Sequence, residues 1–194
     1  FKSSNFKNAE LLFRKCMDED DDNAEKAGFY LSRSLYSQKK YKDAIFEFNR
    51  FLVNCRSLDL CTECRFWMGE CWFGSSEFIK AIEEYKRFIS QNRDRDNPLV
   101  SLSHERIAEI YTRQQRYDEA LIELKLALDT AVRDDRKNPL NIKTAEVMFR
   151  NGKPDEAEGI LTPLSSNKEP LIAAQANIML GRIAGSREKH RAAL

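Results

Sequence analysis

The residues whose types and spacing could do chemistry are five cysteines, two histidines and one acidic run. Cys55, Cys61, Cys64 and Cys71 fall within 17 residues, with Cys16 apart. Cys61-x-x-Cys64 has the spacing of half a zinc site. Cys64 and Cys71, however, read as positions on one helix, where seven residues place them about 10 Å apart along its axis. Four thiolates on one zinc must each lie about 2.3 Å from it, so that helix would have to break. No metal and no cofactor is expected. Cys55 and Cys61 flank a short turn between predicted helices and are able to close a disulfide in an oxidising compartment. The alternative is that the cysteines are small buried residues. Asp18-Glu19-Asp20-Asp21-Asp22-Asn23 imitates the opening of a calcium loop, but its sixth place is not Gly and Phe29 stands where the bidentate Glu belongs. It reads as a solvated turn placing negative charge at the next helix N-terminus. With only His104 and His190, a Ser-His-Asp or Cys-His arrangement has almost no material. No glycine-rich phosphate loop occurs, so this segment is expected not to be an enzyme.

The elements that would position these residues are helices. Seven Gly and five Pro make 12 of 194 residues, roughly half the usual share, so few turns are encoded. Lys plus Arg (32) nearly cancel Asp plus Glu (31), which disfavours binding to nucleic acid or an anionic membrane. Hydrophobic residues at 42% and charged residues at 32% exclude collagen, disorder and a dense disulfide scaffold. No apolar run approaches the roughly 18 residues of a membrane span, so no membrane insertion by this segment is expected. The first residue is Phe1, with no basic and apolar leader, so any targeting segment is expected to lie outside this sequence.

The helices repeat. An aromatic or Pro, two residues, then Ala, mostly with an apolar residue four further on, occurs five times. These are Phe6–Ala9 with Phe13, Tyr41–Ala44 with Phe48, Phe78–Ala81 with Tyr85, Tyr117–Ala120 with Leu124, and Pro154–Ala157 with Leu161. The Ala positions step by 35, 37, 39 and 37 residues, and His190-Arg191-Ala192-Ala193 opens a sixth member. Twelve residues before the Ala of each complete repeat stands a small residue: Ser32, Gly69, Ala108, Ala145 and Gly181. Flanking apolar residues keep helical spacing. Each repeat is therefore read as two antiparallel helices, brought close by the small residue on the first and the Ala on the second. Pro98, Pro139 and Pro170 are expected to start first helices, Pro154 to open a second, and Pro163 to stop one. His104 and His190 fall on packing positions of this register and are expected to be structural.

This pattern resembles the tetratricopeptide repeat family, over nearly the whole chain. The resemblance implies an all-α, right-handed superhelical solenoid of antiparallel helix pairs, with about five repeats and partial repeats at both ends. The repeats would be 1–20 (partial), 21–57, 58–97, 98–135, 136–168 and 169–194 (partial), stacked as one solenoid over 1–194, with further repeats expected upstream. Two departures stand out: the steps exceed the family's usual 34 residues, and its customary Pro after the second helix is absent from 54–57 and 91–94.

In such solenoids the first helices line a concave face. The resemblance therefore implies a partner-binding stripe of Phe29, Arg33 and Tyr36, then Phe66, Glu70 and Phe73. It continues through Glu105, Glu109 and Thr112, which turn acidic, to Ile142, Glu146 and Phe149, and finally Ile178, Arg182 and Gly185. The expected partner is a peptide, helix or loop of another protein, held by Phe29, Arg33, Tyr36, Phe66, Glu70, Phe73, Glu105, Glu109 and Phe149. The alternative for the aromatics is that they pack on one another. The family's chaperone-tail clamp uses Lys and Asn where Phe29, Arg33 and Trp67 stand here, so that ligand is disfavoured. Tyr41-Lys42-Asp43-Ala44 with Phe51-Leu52, and Met68-Gly69-Glu70-Cys71, are similar to repeats of bacterial outer-membrane assembly lipoproteins and Tol-associated periplasmic proteins. That similarity implies an assembly or coupling factor in the periplasm or cell envelope. The alternatives are a cytoplasmic assembly adaptor, the targeting arm of a larger enzyme, and a redox or metal sensor built on Cys55 to Cys71.

Overall fold

The structure, a computed structural model, describes residues 11–13, 22–94, 96–132 and 134–192. The expected repeat at Phe6–Ala9, Cys16, the acidic residues Asp18–Asp21 and the packing role of His190 lie outside the described residues. Beyond a helical stretch at 11–13, the elements are α1 (Asp22–Ser37), α2 (Tyr41–Asn54), α3 (Leu58–Gly74), α4 (Phe78–Gln91), α5 (Pro98–Arg113), α6 (Tyr117–Asp129), α7 (Asp134–Arg150), α8 (Pro154–Leu164) and α9 (Pro170–Ala192). The fold is all-α, with helices packed in consecutive antiparallel pairs: α1 with α2, α3 with α4, α5 with α6, and α7 with α8.

The small residues explain the pairing. Ser32, Gly69, Ala108 and Ala145 on the first helices are buried, and Ala44, Ala81, Ala120 and Ala157 on the second helices have no exposed surface. At Gly69 the approach is so close that a β-carbon would stand 2.7 Å from both Cδ1 and Cε1 of Tyr85. Only a residue without a side chain fits there.

The turn within each pair is built the same way. Lys39, Ser76, Gln115 and Gly152 have φ of 61°, 62°, 61° and 75°, each following the last residues of a first helix. The next residue then reaches back: the N–H groups of Lys40, Glu77, Arg116 and Lys153 donate to the carbonyls of Leu35, Trp72, Tyr111 and Met148 at 2.9–3.0 Å. These are Schellman closures, which satisfy carbonyls left open at a helix end. Three of the four left-handed positions are not glycine, so the backbone bonds and the packing beyond them hold the turn against an unfavourable φ.

Between pairs the chain relies on side chains. Ser57 and Asn97 cap α3 and α5, accepting from Leu60 N–H at 3.4 Å and Leu99 N–H at 3.0 Å. Glu25 Oε1 accepts the N–H groups of Arg56 and Ser57, at 2.8 and 2.9 Å, tying the start of α3 back to α1. Cys55 and Cys61 are joined by a disulfide across the same α2–α3 turn, with their Cα atoms 5.9 Å apart.

Two expectations about helix ends are corrected. Pro98, Pro154 and Pro170 do open helices, but Pro139 lies inside α7, which starts at Asp134. The extra turn is anchored by Arg136, which pairs with Glu105 on α5, offsetting the hydrogen bond that the Pro removes. The expected second helix at His190 does not form, because α9 runs unbroken from Pro170 to Ala192. A β-carbon at Gly181 would meet nothing within 4 Å, so among the described residues no second helix packs there.

The chain falls into two compact units, Phe1–Arg93 and Asp94–Leu194. In the first, Phe29, Leu31, Leu35, Phe48, Phe51, Cys64, Met68 and Cys71 make a core cluster rich in rings. In the second, Ala145, Ala157, Leu161, Leu164, Ile172, Ala176, Met179 and Ile183 pack α7, α8 and α9 together, with no ring among its buried members.

Candidate functional site

The stripe positions occupy the first helices of each pair, and the two units treat them differently. In the first unit the stripe is filled. Phe29 and Phe66 are each 1% exposed. The Phe29 ring packs on Phe48 and Phe51 at centroid distances of 6.2 and 5.7 Å, and Phe66 on Tyr85 and Phe88 at 5.9 and 5.7 Å. Both were expected to meet a partner, and both are instead core. A large ring buries more surface against its own second helix than it could on an open face. Glu70, expected on the binding face, is also buried: Tyr36 Oη donates to its Oε2 at 3.0 Å and Tyr85 Oη to its Oε1 at 2.6 Å.

Around this knot Arg33 and Tyr36 meet Trp67 and close the groove between α1 and α3. The Tyr36 ring meets the edge of Trp67 at 5.4 Å, and the Arg33 guanidinium lies 4.2 Å over the Trp67 ring. Trp67 Nε1–H donates to Glu63 Oε1 at 2.9 Å, and Phe73, half-buried, packs on Phe78 at 6.0 Å. Trp67 and Glu63 are thus members of this surface that the stripe rule passed over. Trp67 had a sequence signal, since it stands at a clamp place of the resembled family; Glu63 had none.

The second unit leaves its groove open. Between α5 and α7 lies a cavity of about 350 Å³, floored by Ala108, Leu124 and Val147. Its walls carry Glu105, Glu109, Thr112 and Arg113 from α5, and Lys143, Glu146 and Arg150 from α7. The expected residues Glu105 and Glu109 are brought together here, whereas Phe149, half-buried, stays out of the lining. The repeat register explains the opening: Thr112 holds the place of Tyr36 and Lys143 that of Trp67, so the two rings that meet across the first unit's groove are both missing.

The charge of this groove differs from the expected acidic character. Glu105 accepts from both Arg136 and Lys143. Glu109 pairs with Arg113 at 2.6 Å and Arg106 at 3.3 Å, and Glu146 with Arg150 at 2.7 Å. The lining is thus charge-balanced, three carboxylates against Arg113, Lys143 and Arg150; Glu105 is the most buried of them at 11% exposed, while Glu109 and Glu146 are 32% and 36% exposed. The stripe rule counted only its own positions and so missed every one of these cations. Glu109–Arg113 and Glu146–Arg150 were readable as i,i+4 pairs. Arg136 and Lys143 reach Glu105 across 31 and 38 residues, which no local pattern reveals.

The other chemistry-bearing residues are structural. His104 Nδ1 lies 2.7 Å from Glu123 Oε2, joining α5 to α6 in a nearly buried pair. Cys64 and Cys71 are buried free thiols, and desolvation pushes both pKa values up, that of Cys71 to about 12. Such thiols make poor nucleophiles. Among the described residues no His, Cys, Asp or Glu group could hold a metal ion, and no helix is long and apolar enough to cross a membrane.

No family model and no curated protein matches this chain. Solved structures do. The apo form of RapI superposes with a TM-score of 0.77 at 17% identity, over 94% of this chain, which spans 55% of RapI. BtubC (BKLC) from P. vanneervenii gives 0.72 at 16% identity, covering 97% of this chain and 85% of that one. The nearly identical TPR-like repeats of a Podosopora anserina putative kinesin light chain give 0.69 at 12% identity, over 90% and 92%. At these identities the likeness establishes the fold, which is that of tetratricopeptide-like repeats.

Proposed function

We propose that the chain is a non-catalytic scaffold that binds a polypeptide segment of another protein in the groove between α5 and α7. The observation that carries this is the open 350 Å³ cavity at the position where the first unit fills the equivalent groove with Tyr36, Trp67 and Arg33. A concave, partly apolar site ringed by polar groups is a usual setting for recognition. The tetratricopeptide-like fold, typical of protein-interaction scaffolds, supports the same reading. The test is site-specific photo-crosslinking in the cell that makes the protein. A photoreactive residue at Thr112, in the groove, should trap a partner. The same residue at Glu83, exposed on α4, should not. Adducts from Glu83 alone, or from neither site, would refute the groove.

The proposal places this scaffold in the cell envelope as an assembly or coupling factor. The sequence similarity given above supports it, as does the Cys55–Cys61 disulfide, since such bonds persist in oxidising compartments. Rapid alkylation of whole cells should leave Cys55 and Cys61 unlabelled. Free thiols at both would instead favour the cytoplasmic adaptor.

A further inference from the structure

Resting on the groove assignment above, we infer that the segment it takes is anchored by a tyrosine, whose ring fills the α5–α7 cavity and whose hydroxyl donates to Glu146. The two units carry the same groove in two conditions, and the filled one shows what the open one lacks. Counted from the small residue of each first helix, Thr112 stands in the place of Tyr36 and Glu146 in that of Glu70. In the first unit the Tyr36 hydroxyl donates to Glu70 Oε2 at 3.0 Å. In the second the acceptor is kept and the phenol is gone. Thr112 does not replace the donor, because its hydroxyl turns back to the Ala108 carbonyl at 2.8 Å. Glu146 Oε1 accepts from Arg150 at 2.7 Å, and among the described residues its Oε2 has no hydrogen bond or ion pair.

The acceptors also distinguish one ring from another. Trp67, the second ring of the filled groove, donates to Glu63 at 2.9 Å, and Pro139 stands in the place of Glu63 in the second unit. The open groove therefore keeps the acceptor of the phenol and has lost that of the indole. Nor does the second helix of the pair supply a phenol. Tyr85, which donates to Glu70 at 2.6 Å, is matched on α8 by Leu161, an apolar core residue.

Size and charge agree with this occupant. The cavity holds about 350 Å³ over an apolar floor, whereas about 150 Å³ is enough to take up a benzene ring. Because the charges of the lining cancel, a neutral side chain suits it better than an ion. Arg113 and Arg150, half-exposed in the same lining, are cations of the kind that cover an aromatic face, as Arg33 covers Trp67 at 4.2 Å in the first unit. A leucine would match the floor and leave Glu146 without a donor.

The test titrates N-acetyl-tyrosinamide, N-acetyl-phenylalaninamide and N-acetyl-leucinamide into the intact protein and follows the backbone amide NMR signals of Ala108, Thr112 and Val147. The tyrosine probe should shift these signals saturably, and the phenylalanine probe should bind at least about tenfold more weakly for want of the hydroxyl. Glu146→Ala, checked for retained helicity, should erase that difference. Thr112→Tyr should fill the groove from within, so it should abolish binding of the tyrosine probe and melt higher than Thr112→Phe. Equal affinity for the tyrosine and phenylalanine or leucine probes, still blocked by Thr112→Tyr, would overturn the phenol and leave the groove reading standing. Binding that Thr112→Tyr does not weaken would overturn both. Thr112→Tyr melting no higher than Thr112→Phe would put Glu146 beyond the reach of a phenol and overturn the assignment. The absence of any saturable shift would overturn the tyrosine anchor, with crosslinking at Thr112 deciding the groove separately.

Discussion

Gly69 and Gly181 hold the same position in their repeats, and replacing each by Ala should move stability in opposite directions. At Gly69 the new methyl would lie 2.7 Å from two carbons of the Tyr85 ring and 3.2 Å from a third. That ring has no exposed surface, and its hydroxyl donates to Glu70 at 2.6 Å, so it cannot swing aside without loosening a buried hydrogen bond. Overpacking costs about 1–3 kcal/mol, and disturbing a hydrogen bond to a charged acceptor about 1.5–3 kcal/mol more if it breaks outright. Against this, Ala gains about 1 kcal/mol over Gly inside a helix. The expected net loss is about 2 kcal/mol, or roughly 8–16 °C in melting temperature for a unit of this size. Gly181 is exposed in mid-helix with nothing within 4 Å of its β-carbon position, so Gly181→Ala should keep only the propensity gain, about 1 kcal/mol. Urea and thermal unfolding followed by circular dichroism at 222 nm, with hydrogen exchange to assign each change to its unit, gives both numbers. If Gly69→Ala were as stable as the parent, the close approach of α3 and α4 described here would be wrong. If Gly181→Ala were destabilising, a second helix must pack on α9.

The left-handed turn residues give a graded series: Lys39→Gly, Ser76→Gly and Gln115→Gly should each stabilise, by up to about 1 kcal/mol, because relief of an unfavourable φ exceeds the entropy of the added glycine. Gly152→Ala should destabilise by a similar amount, and equilibrium unfolding of all four variants checks the sign. The buried thiols give a pH dependence. Folding raises the pKa of Cys64 and Cys71 above the ordinary 9.0, so their contribution is complete below pH 9 and lost as pH rises, when the unfolded chain ionises and the folded one does not. Each thiol should remove about 1.4 kcal/mol per pH unit above 9. Denaturant titrations at pH 8 and pH 10 should show the loss in the parent and its absence in Cys64→Ser with Cys71→Ser.

What was legible in the sequence was whatever recurs locally. Ala44, Ala81, Ala120 and Ala157 mark the helix pairs because the same close contact is solved with the same small residue each time. Helical spacing also placed Phe29, Phe66 and Glu70 on the face of a first helix, but spacing gives an angle and not the distance to the next neighbour. Tyr85, Phe88 and Phe51 come close enough to cover them, and that depends on how neighbouring helices lean together. Pro139 misled for a related reason: its cost to α7 is local, while the Arg136–Glu105 pair that compensates is not. The expected acidic excess in the groove failed in the same way, because Arg136 and Lys143 come to Glu105 from the next repeat.

The contrast between Tyr36 and Thr112 has an evolutionary consequence. The contacts that align each pair of helices involve the small residue and its Ala partner, whereas the openness of the groove turns on other positions, those of Tyr36 and Trp67 in one unit and Thr112 and Lys143 in the other. The two duties sit on separate positions, so a lineage can widen, fill or recharge a groove without renegotiating how its helices meet. One protein can then carry a sealed repeat and a receptive one, and exchange which is which through a few substitutions that leave the helix pairs intact.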